Sequence, residues 1–403
     1  MNPTQSASFL SRIDMAPRDP ILGITEAFNA DTNPDKVNLG VGVYYDDQGK
    51  VPLLDCVRKA EAVLLEKNAP RAYLPIDGLA AYNQGVQQLV FGSGSALLEQ
   101  KRVVTVQAVG GTGALKLGAD FLQRFAPGAQ VWISDPSWEN HRALFESAGF
   151  TVNQYPYFDA ASHGVNFDAM LNALQGAPSG TIILLHACCH NPTGADLTPQ
   201  QWQQVVAVVR ERALIPFLDM AYQGFGDGLF EDGIAVRLFT ESEGPLFIST
   251  SFSKSFSLYG ERVGALSIVA ASGEEASRVL SQVKRVIRTN YSNPPLHGAQ
   301  LVSTVLNTPE LRQLWEDELG QMRVRIRANR DAMVTALKEK AGRDFSFVSA
   351  QKGMFSYSGL SKEQVERLRS EFSVYAIDTG RICVAALNSR NMQKVIDAIV
   401  KVL

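Results

Sequence analysis

Cysteine is scarce, with Cys56, Cys188, Cys189 and Cys383 the only four in 403 residues. That is too few for a disulfide scaffold, so all four read as reduced thiols. The adjacent pair Cys188-Cys189 lacks C-x-x-C spacing, and no metal site is expected. No run of 18 apolar residues occurs, so no membrane span is expected. The first 20 residues carry Arg12, Asp14, Arg18 and Asp19 and no apolar core, so a secretory signal is not expected either. An excess of one charge is missing too. Lys+Arg 38 against Asp+Glu 41 leaves a formal net charge of -3. Neither nucleic acid nor an anionic membrane would find a field to follow. Fixed-period repeats and low-complexity linkers are also absent. What remains is 45% hydrophobic and 20% charged, the balance of a globular chain, for which the cytoplasm is the expected place. One core rarely grows past about 250–300 residues, so two domains or one very large one are expected.

Six short apolar runs punctuate the middle of the chain. They are Arg102–Gln107, Gln130–Ser134, Thr181–Leu185, Ile215–Asp219, Leu246–Thr250 and Val263–Val269. Being apolar on both faces, they read as buried strands. Helical patterns such as Thr112–Phe125 and Pro199–Arg212 lie between them. Strand–helix alternation predicts an α/β domain with a mostly parallel sheet. Pro309 then opens a helical pattern through Leu311, Trp315, Leu319, Met322, Ile326, Met333 and Leu337, running to about Lys340. A helix of roughly 45 Å can bridge two domains. Beyond it, Phe345–Val348 and Arg381–Ala385 read as strands, and Lys362–Phe372 and the C-terminal stretch as helices. Together they make a smaller α+β lobe.

Ligands in an open α/β sheet sit at the carboxyl ends of its strands. Four such ends carry polar residues here. Gly110-Gly111-Thr112-Gly113 opens a helix after the first run. Asn191 follows the third, in His190-Asn191-Pro192-Thr193-Gly194. Asp219 ends the fourth, with Tyr222 three residues on. Lys254 follows the fifth, in Ser251-Phe252-Ser253-Lys254-Ser255. Taken singly, each has a plain reading: a loop lysine, a helix cap, a packed residue. His186, Cys188, Cys189 and His190 read as packed residues near the floor of such a site. Taken together they say more. A glycine turn at a helix start binds phosphate through free N–H groups. Ser251, Ser253 and Arg262 add donors for the same dianion. A lysine there can form a Schiff base, and an aspartate can hold a pyridinium N–H. Those are the requirements of pyridoxal 5′-phosphate.

The ordered motifs are HNPTG at 190–194, DMAYQGF at 219–225, SFSKSFSLYGERVG at 251–264, NYSNPP at 290–295 and Gly380-Arg381. From Asp19 to the C-terminus the chain resembles the class I, fold-type I pyridoxal-phosphate aminotransferases, in the aspartate/aromatic branch. The resemblance implies a seven-stranded, mostly parallel sheet in a large domain of 52–320. It implies a small α+β domain made of 14–51 and 321–403, and an N-terminal arm of 1–13. It implies a homodimer with shared active sites, acting on amino acids and 2-oxo acids. Lys254, Asp219 and Tyr222 would be catalytic. Gly111, Thr112, Ser251, Ser253 and Arg262 would hold the phosphate, with Tyr73 arriving from the partner. Trp138 would stack on the pyridine ring, His141 would support Asp219, and Asn191 would join Tyr222 at the phenolic oxygen. Arg381 would take the substrate α-carboxylate, helped by Gly40 and Asn191. Arg288, from the partner, would pair with a side-chain carboxylate.

The substrate signals are mixed. Tyr44-Tyr45, Tyr73-Leu74-Pro75 and Ser255–Gly260 resemble the aromatic members, as does Ala72 beside Tyr73. Val43, Thr112 and Asn293 resemble the aspartate type. The expected activity is transfer of the amino group of tyrosine or phenylalanine to 2-oxoglutarate by a ping-pong mechanism, with activity on aspartate retained. The alternative is an aspartate aminotransferase. Pyridoxal-phosphate decarboxylation or β-elimination would need no paired arginines. A nucleotide-binding oxidoreductase would need a third glycine where Lys116 stands.

Overall fold

The computed structural model describes residues 8–16 and 20–403. Residues 1–7 of the expected arm and Asp19 of the N-terminal match lie outside the described residues. Seven strands form the central sheet: β1 (Val103–Val109), β2 (Val131–Asp135), β3 (Val152–Pro156), β4 (Ile182–His186), β5 (Ile215–Met220), β6 (Leu246–Ser251) and β7 (Val263–Val269). Their order is β1-β7-β6-β5-β4-β2-β3. Only β7 runs antiparallel to its neighbours. The expected mostly parallel sheet is therefore present, with six of its strands near their predicted positions. The seventh, β3, was not predicted from the sequence.

Strand periodicity explains why these runs had to be apolar on both faces. In β4, Ile182 and Leu184 enter one core while Ile183 and Leu185 enter the other. Helix α1 (Gly110–Phe125) covers the first core, burying Ala114, Leu115, Leu117, Phe121 and Leu122. Helix α2 (Glu139–Ser147) follows β2, and α3 (Pro199–Glu211) starts from a capping box between Thr198 and Gln201.

After α4 (Gly273–Asn290) comes α5 (Pro309–Ala341), 33 residues and about 50 Å long. Its buried residues step by three or four from Leu311 to Leu337, as one helical stripe must. Trp315 donates to Ser255 O at 2.7 Å, while Arg325 donates to Tyr45 O at 2.7 Å and Leu387 O at 2.8 Å. The helix thus touches both the sheet's loops and the C-terminal lobe. There β8 (Phe355–Tyr357) pairs antiparallel with β9 (Arg381–Cys383), facing Tyr357 to Arg381. Val37–Asn38 pairs with Val374–Tyr375, so an early segment is knitted to late ones. Helices α6 (Lys362–Phe372) and α7 (Met392–Val402) complete the lobe.

Two local expectations fail. Phe345–Val348 is not a strand; Ser346–Ala350 is a short helix. The Asp344 carboxylate accepts from Ser346 N at 2.8 Å, and Phe345 and Val348 are buried at a spacing of three. A capped turn satisfies that four-residue pattern as well as a strand does. The strand expected over Arg381–Ala385 stops at Cys383, and a 3-10 turn follows over Val384–Ala386.

Candidate active site

The carboxyl ends of β1, β4, β5 and β6 converge, and β7 enters at the same edge because it runs backwards. A cavity of about 210 Å³ opens there. Gly111, Thr112, Trp138, Asn191, Asp219, Tyr222, Ser251, Ser253, Lys254, Arg262 and Arg381, all expected from the sequence, line it.

One end is built for an anion. Gly110 turns the chain from β1 into α1 with φ +69, and a Cβ there would stand 2.5 Å from Arg262 Nη2. The guanidinium therefore lies against the turn, which only glycine permits. Arg262 Nη1 donates to Ser253 Oγ at 3.1 Å. Gly111, Ser251, Ser253 and Arg262 thus present N–H, O–H and guanidinium donors at a helix start.

Asp219 sits at the floor. Its Oδ2 accepts from His141 Nε2 at 2.9 Å, and Ser137 donates to His141 Nδ1 at 2.9 Å. An ionised carboxylate can only accept, which sets the tautomer of His141. Burial pushes the Asp219 carboxyl up. The His141 hydrogen bond and the Lys254 charge outweigh that and hold it below the ordinary carboxylate range. The other oxygen, Oδ1, is buried and has no partner. An ionised orphan oxygen in a cavity fits a ring N–H.

Lys254 stands 5.0 Å from the Tyr222 ring centre. Burial and the nearby Arg262 lower its amine to about 8, against the pull of Asp219. A fraction of the amine is then neutral, and so nucleophilic, near neutral pH. Burial raises the Tyr222 hydroxyl far above its usual range, keeping it a donor.

The far end carries a buried guanidinium. Arg381 is buried and has no ion-pair partner among the described residues. Nη1 donates to Asn191 Oδ1 at 3.1 Å and Nη2 to Gly40 O at 2.7 Å, while Nε has no partner. Its guanidinium carbon lies 4.3 Å from the Phe355 ring centre. These contacts aim a fixed fork at the cavity.

His141 and Gly40 act from behind Asp219 and Arg381 rather than lining the cavity. Tyr73 and Arg288 are not brought to it by their own chain. Tyr73 is 94% exposed, and Arg288, in the last turn of α4, is exposed and bonded to Ser292. Sequence reasoning missed Gly42, Leu115, Ala221 and Phe355, and took His186 for packing although it lines the wall. The position of His186 at the end of β4 was the available signal; Phe355 had none. Burial and the neighbouring His141 bring the His186 imidazole down to about 3.

A family model described as aminotransferase class I and II matches residues 34–399. The aspartate aminotransferase of Pseudomonas aeruginosa is 65% identical over 397 residues, covering 98% of this chain and all of that one. The tyrosine aminotransferase of Klebsiella pneumoniae is 52% identical, covering 97% of this chain and 99% of the relative. Among solved structures, the aromatic-amino-acid aminotransferase of Burkholderia pseudomallei covalently bound to pyridoxal phosphate has a TM-score of 0.97 and 63% identity. The match covers 98% of this chain and 100% of that one.

Proposed function

The chain belongs to the class I and II aminotransferases, and from that premise we propose which residues perform the transfer and which donors it prefers. It is a pyridoxal-phosphate enzyme with the family's fold-type I architecture. The cofactor, when bound, supplies an aldehyde that condenses with amines and a ring that draws electrons from the substrate Cα.

The single observation that carries the reading is the trio facing one cavity: the Lys254 amine, the orphan Oδ1 of Asp219 and the unpartnered Nε of Arg381. Lys254 holds the cofactor and then moves the proton from the substrate Cα. Asp219 keeps the ring nitrogen protonated, and His141 fixes the carboxylate in place. Trp138 covers the ring, and Tyr222 and Asn191 donate to the phenolic oxygen. Gly111, Thr112, Ser251, Ser253 and Arg262 hold the phosphate. Arg381 clamps the α-carboxylate, while Asn191 and the Gly40 carbonyl steady its fork.

The preferred donors are tyrosine and phenylalanine, the acceptor is 2-oxoglutarate, and aspartate is also used. Tyrosine and aromatic aminotransferases among the relatives, at 52% and 50% identity, support this. A preference for aspartate is the second reading, favoured by the 65% identical Pseudomonas relative. The enzyme works as a cytoplasmic homodimer. Tyr73 and Arg288 of each chain serve the other's site, and residues 8–13 of the arm lie over the partner. The exposed apolar side chains of Phe9, Leu10 and Ile13 support that placement. A large domain of 52–320 carries the cofactor. The lobe of 14–51 and 321–403 carries Arg381 and closes over the substrate.

The test is spectroscopic. In half-reactions without keto acid, L-phenylalanine is expected to convert the enzyme's absorption band to that of the amine form at lower concentration than L-aspartate. The reverse order would assign the enzyme to aspartate. No cofactor band after added pyridoxal phosphate would overturn the site assignment.

A further inference from the structure

A second cavity, of about 100 Å³, opens where α5 meets Phe225–Gly226 and the turn Ser349–Gly353. Arg323, Arg327, Arg330 and Lys352 line it, and no acidic residue does. The three arginines are spaced four and three along α5, so they share a face. Arg330 is 3% exposed, and every hydrogen-bond partner it has is neutral: Ser356 Oγ at 3.0 Å, Gly353 O at 2.6 Å and Phe355 O at 3.1 Å. Arg323 donates to Gly224 O at 2.7 Å. Arg327 and Lys352 have a carboxylate partner but share a single one, Asp227.

The other carboxylates at this corner are committed elsewhere. Asp232 accepts from the N–H groups of Gly224, Gly226 and Asp227, and Asp196 accepts from those of Cys189 and His190. Asp331 attracts Arg330 without forming an ion pair. A buried guanidinium with no anion beside it is costly, and a cavity ringed by four cations concentrates anions. Gln351 supplies a second, independent sign. It lines the same cavity, is buried, and its Oε1 has no partner. A ligand complementary to this lining carries both negative oxygens and an O–H donor.

We propose that this cavity binds hydrogen phosphate, as the free ion or as the phosphate group of a small monoester. Its charged oxygens accept from the arginines and Lys352, and its O–H donates to Gln351. Sulfate offers the same oxygens without the proton, so it binds more weakly. The site is separate from the phosphate grip around Arg262 and does not depend on the reaction proposed above.

The test is calorimetric titration of the holoenzyme, whose cofactor already fills the first phosphate grip, with inorganic phosphate against chloride of matched ionic strength. Saturable binding of one phosphate per chain is expected, and weaker binding of sulfate. The double variant Arg327→Ala/Lys352→Ala should weaken phosphate binding about tenfold. Asp227→Asn should tighten it several-fold, because the competing carboxylate is gone. All these residues lie at the rim, and an unchanged cofactor band reports that each variant is folded. Phenyl phosphate binding as well as the free ion would assign the monoester; weaker binding would assign free phosphate. Absence of saturable binding, equal affinity for sulfate, or affinity unmoved in both variants would each overturn the proposal.

Discussion

Lys254 combines two properties that pull against each other. In the role proposed for it the amine is buried beside the cofactor, and burial disfavours its charge. With the amine lowered to about 8, its neutral fraction grows through that pH. Capture of pyridoxal phosphate by the cofactor-free enzyme is therefore expected to speed up from pH 6.5 to about 8 and level off above it. Stopped-flow absorbance would follow this; a rate flat through that range would mean the lysine is not the titrating group. Lys254→Arg keeps a cation but removes the amine that can condense with the cofactor and accept the Cα proton, so kcat should fall about 100- to 10,000-fold while the protein still folds. Arg288 tests another property. Arg288→Ala should raise KM for 2-oxoglutarate and aspartate and leave the phenylalanine half-reaction nearly unchanged. Equal losses for both substrates would end the idea that it reads only the side-chain carboxylate. Most of the residues that line the cavity were legible in the sequence because they sit beside a strand end or within a local motif. Phe355 was not, since it reaches the cavity through β8 and its pairing with β9, a contact that no local pattern announces.

At the scale of elements, legibility followed burial. The six strands read from sequence are buried on both faces, and continuous apolar runs announce them. Strand β3 lies at one edge of the sheet, and of its Val152–Pro156 only Val152 and Tyr155 are buried. Polar residues and a terminal proline suit an edge and hide it from a search for apolar runs. The reversal of β7 was equally hidden, because direction is set by connection and packing rather than composition. That reversal places Arg262 beside the turn at Gly110. The joint between β1, α1 and β7 is therefore a single fitted unit. Gly110→Ala would force a side chain into the left-handed region, at about 1–2 kcal/mol, and push on the Arg262 guanidinium. A lower melting temperature and faster loss of cofactor on dilution are expected together. Normal cofactor retention would mean that the turn does not set the phosphate grip.

The whole molecule poses the question that one chain leaves open. Its cavity holds Lys254, Asp219 and Arg381, while Tyr73 and Arg288 project from the surface. If two chains share their sites, each site takes Lys254 from one subunit and Arg288 from the other. Two separately crippled enzymes should then rescue each other. Homodimers of Lys254→Ala are inactive, and homodimers of Arg288→Ala turn over dicarboxylates poorly. After unfolding and refolding together in equal amounts, half the dimers are mixed. In each mixed dimer one site collects both lesions and the other collects none. Dicarboxylate turnover should therefore recover to about a quarter of wild type, with normal KM at the restored sites. Recovery is impossible if each chain builds its whole site alone, because no exchange of subunits could then bring an intact Arg288 to an intact Lys254. A mixture no more active than the sum of its parts, despite mixed dimers seen by mass spectrometry, would place the complete site within one chain.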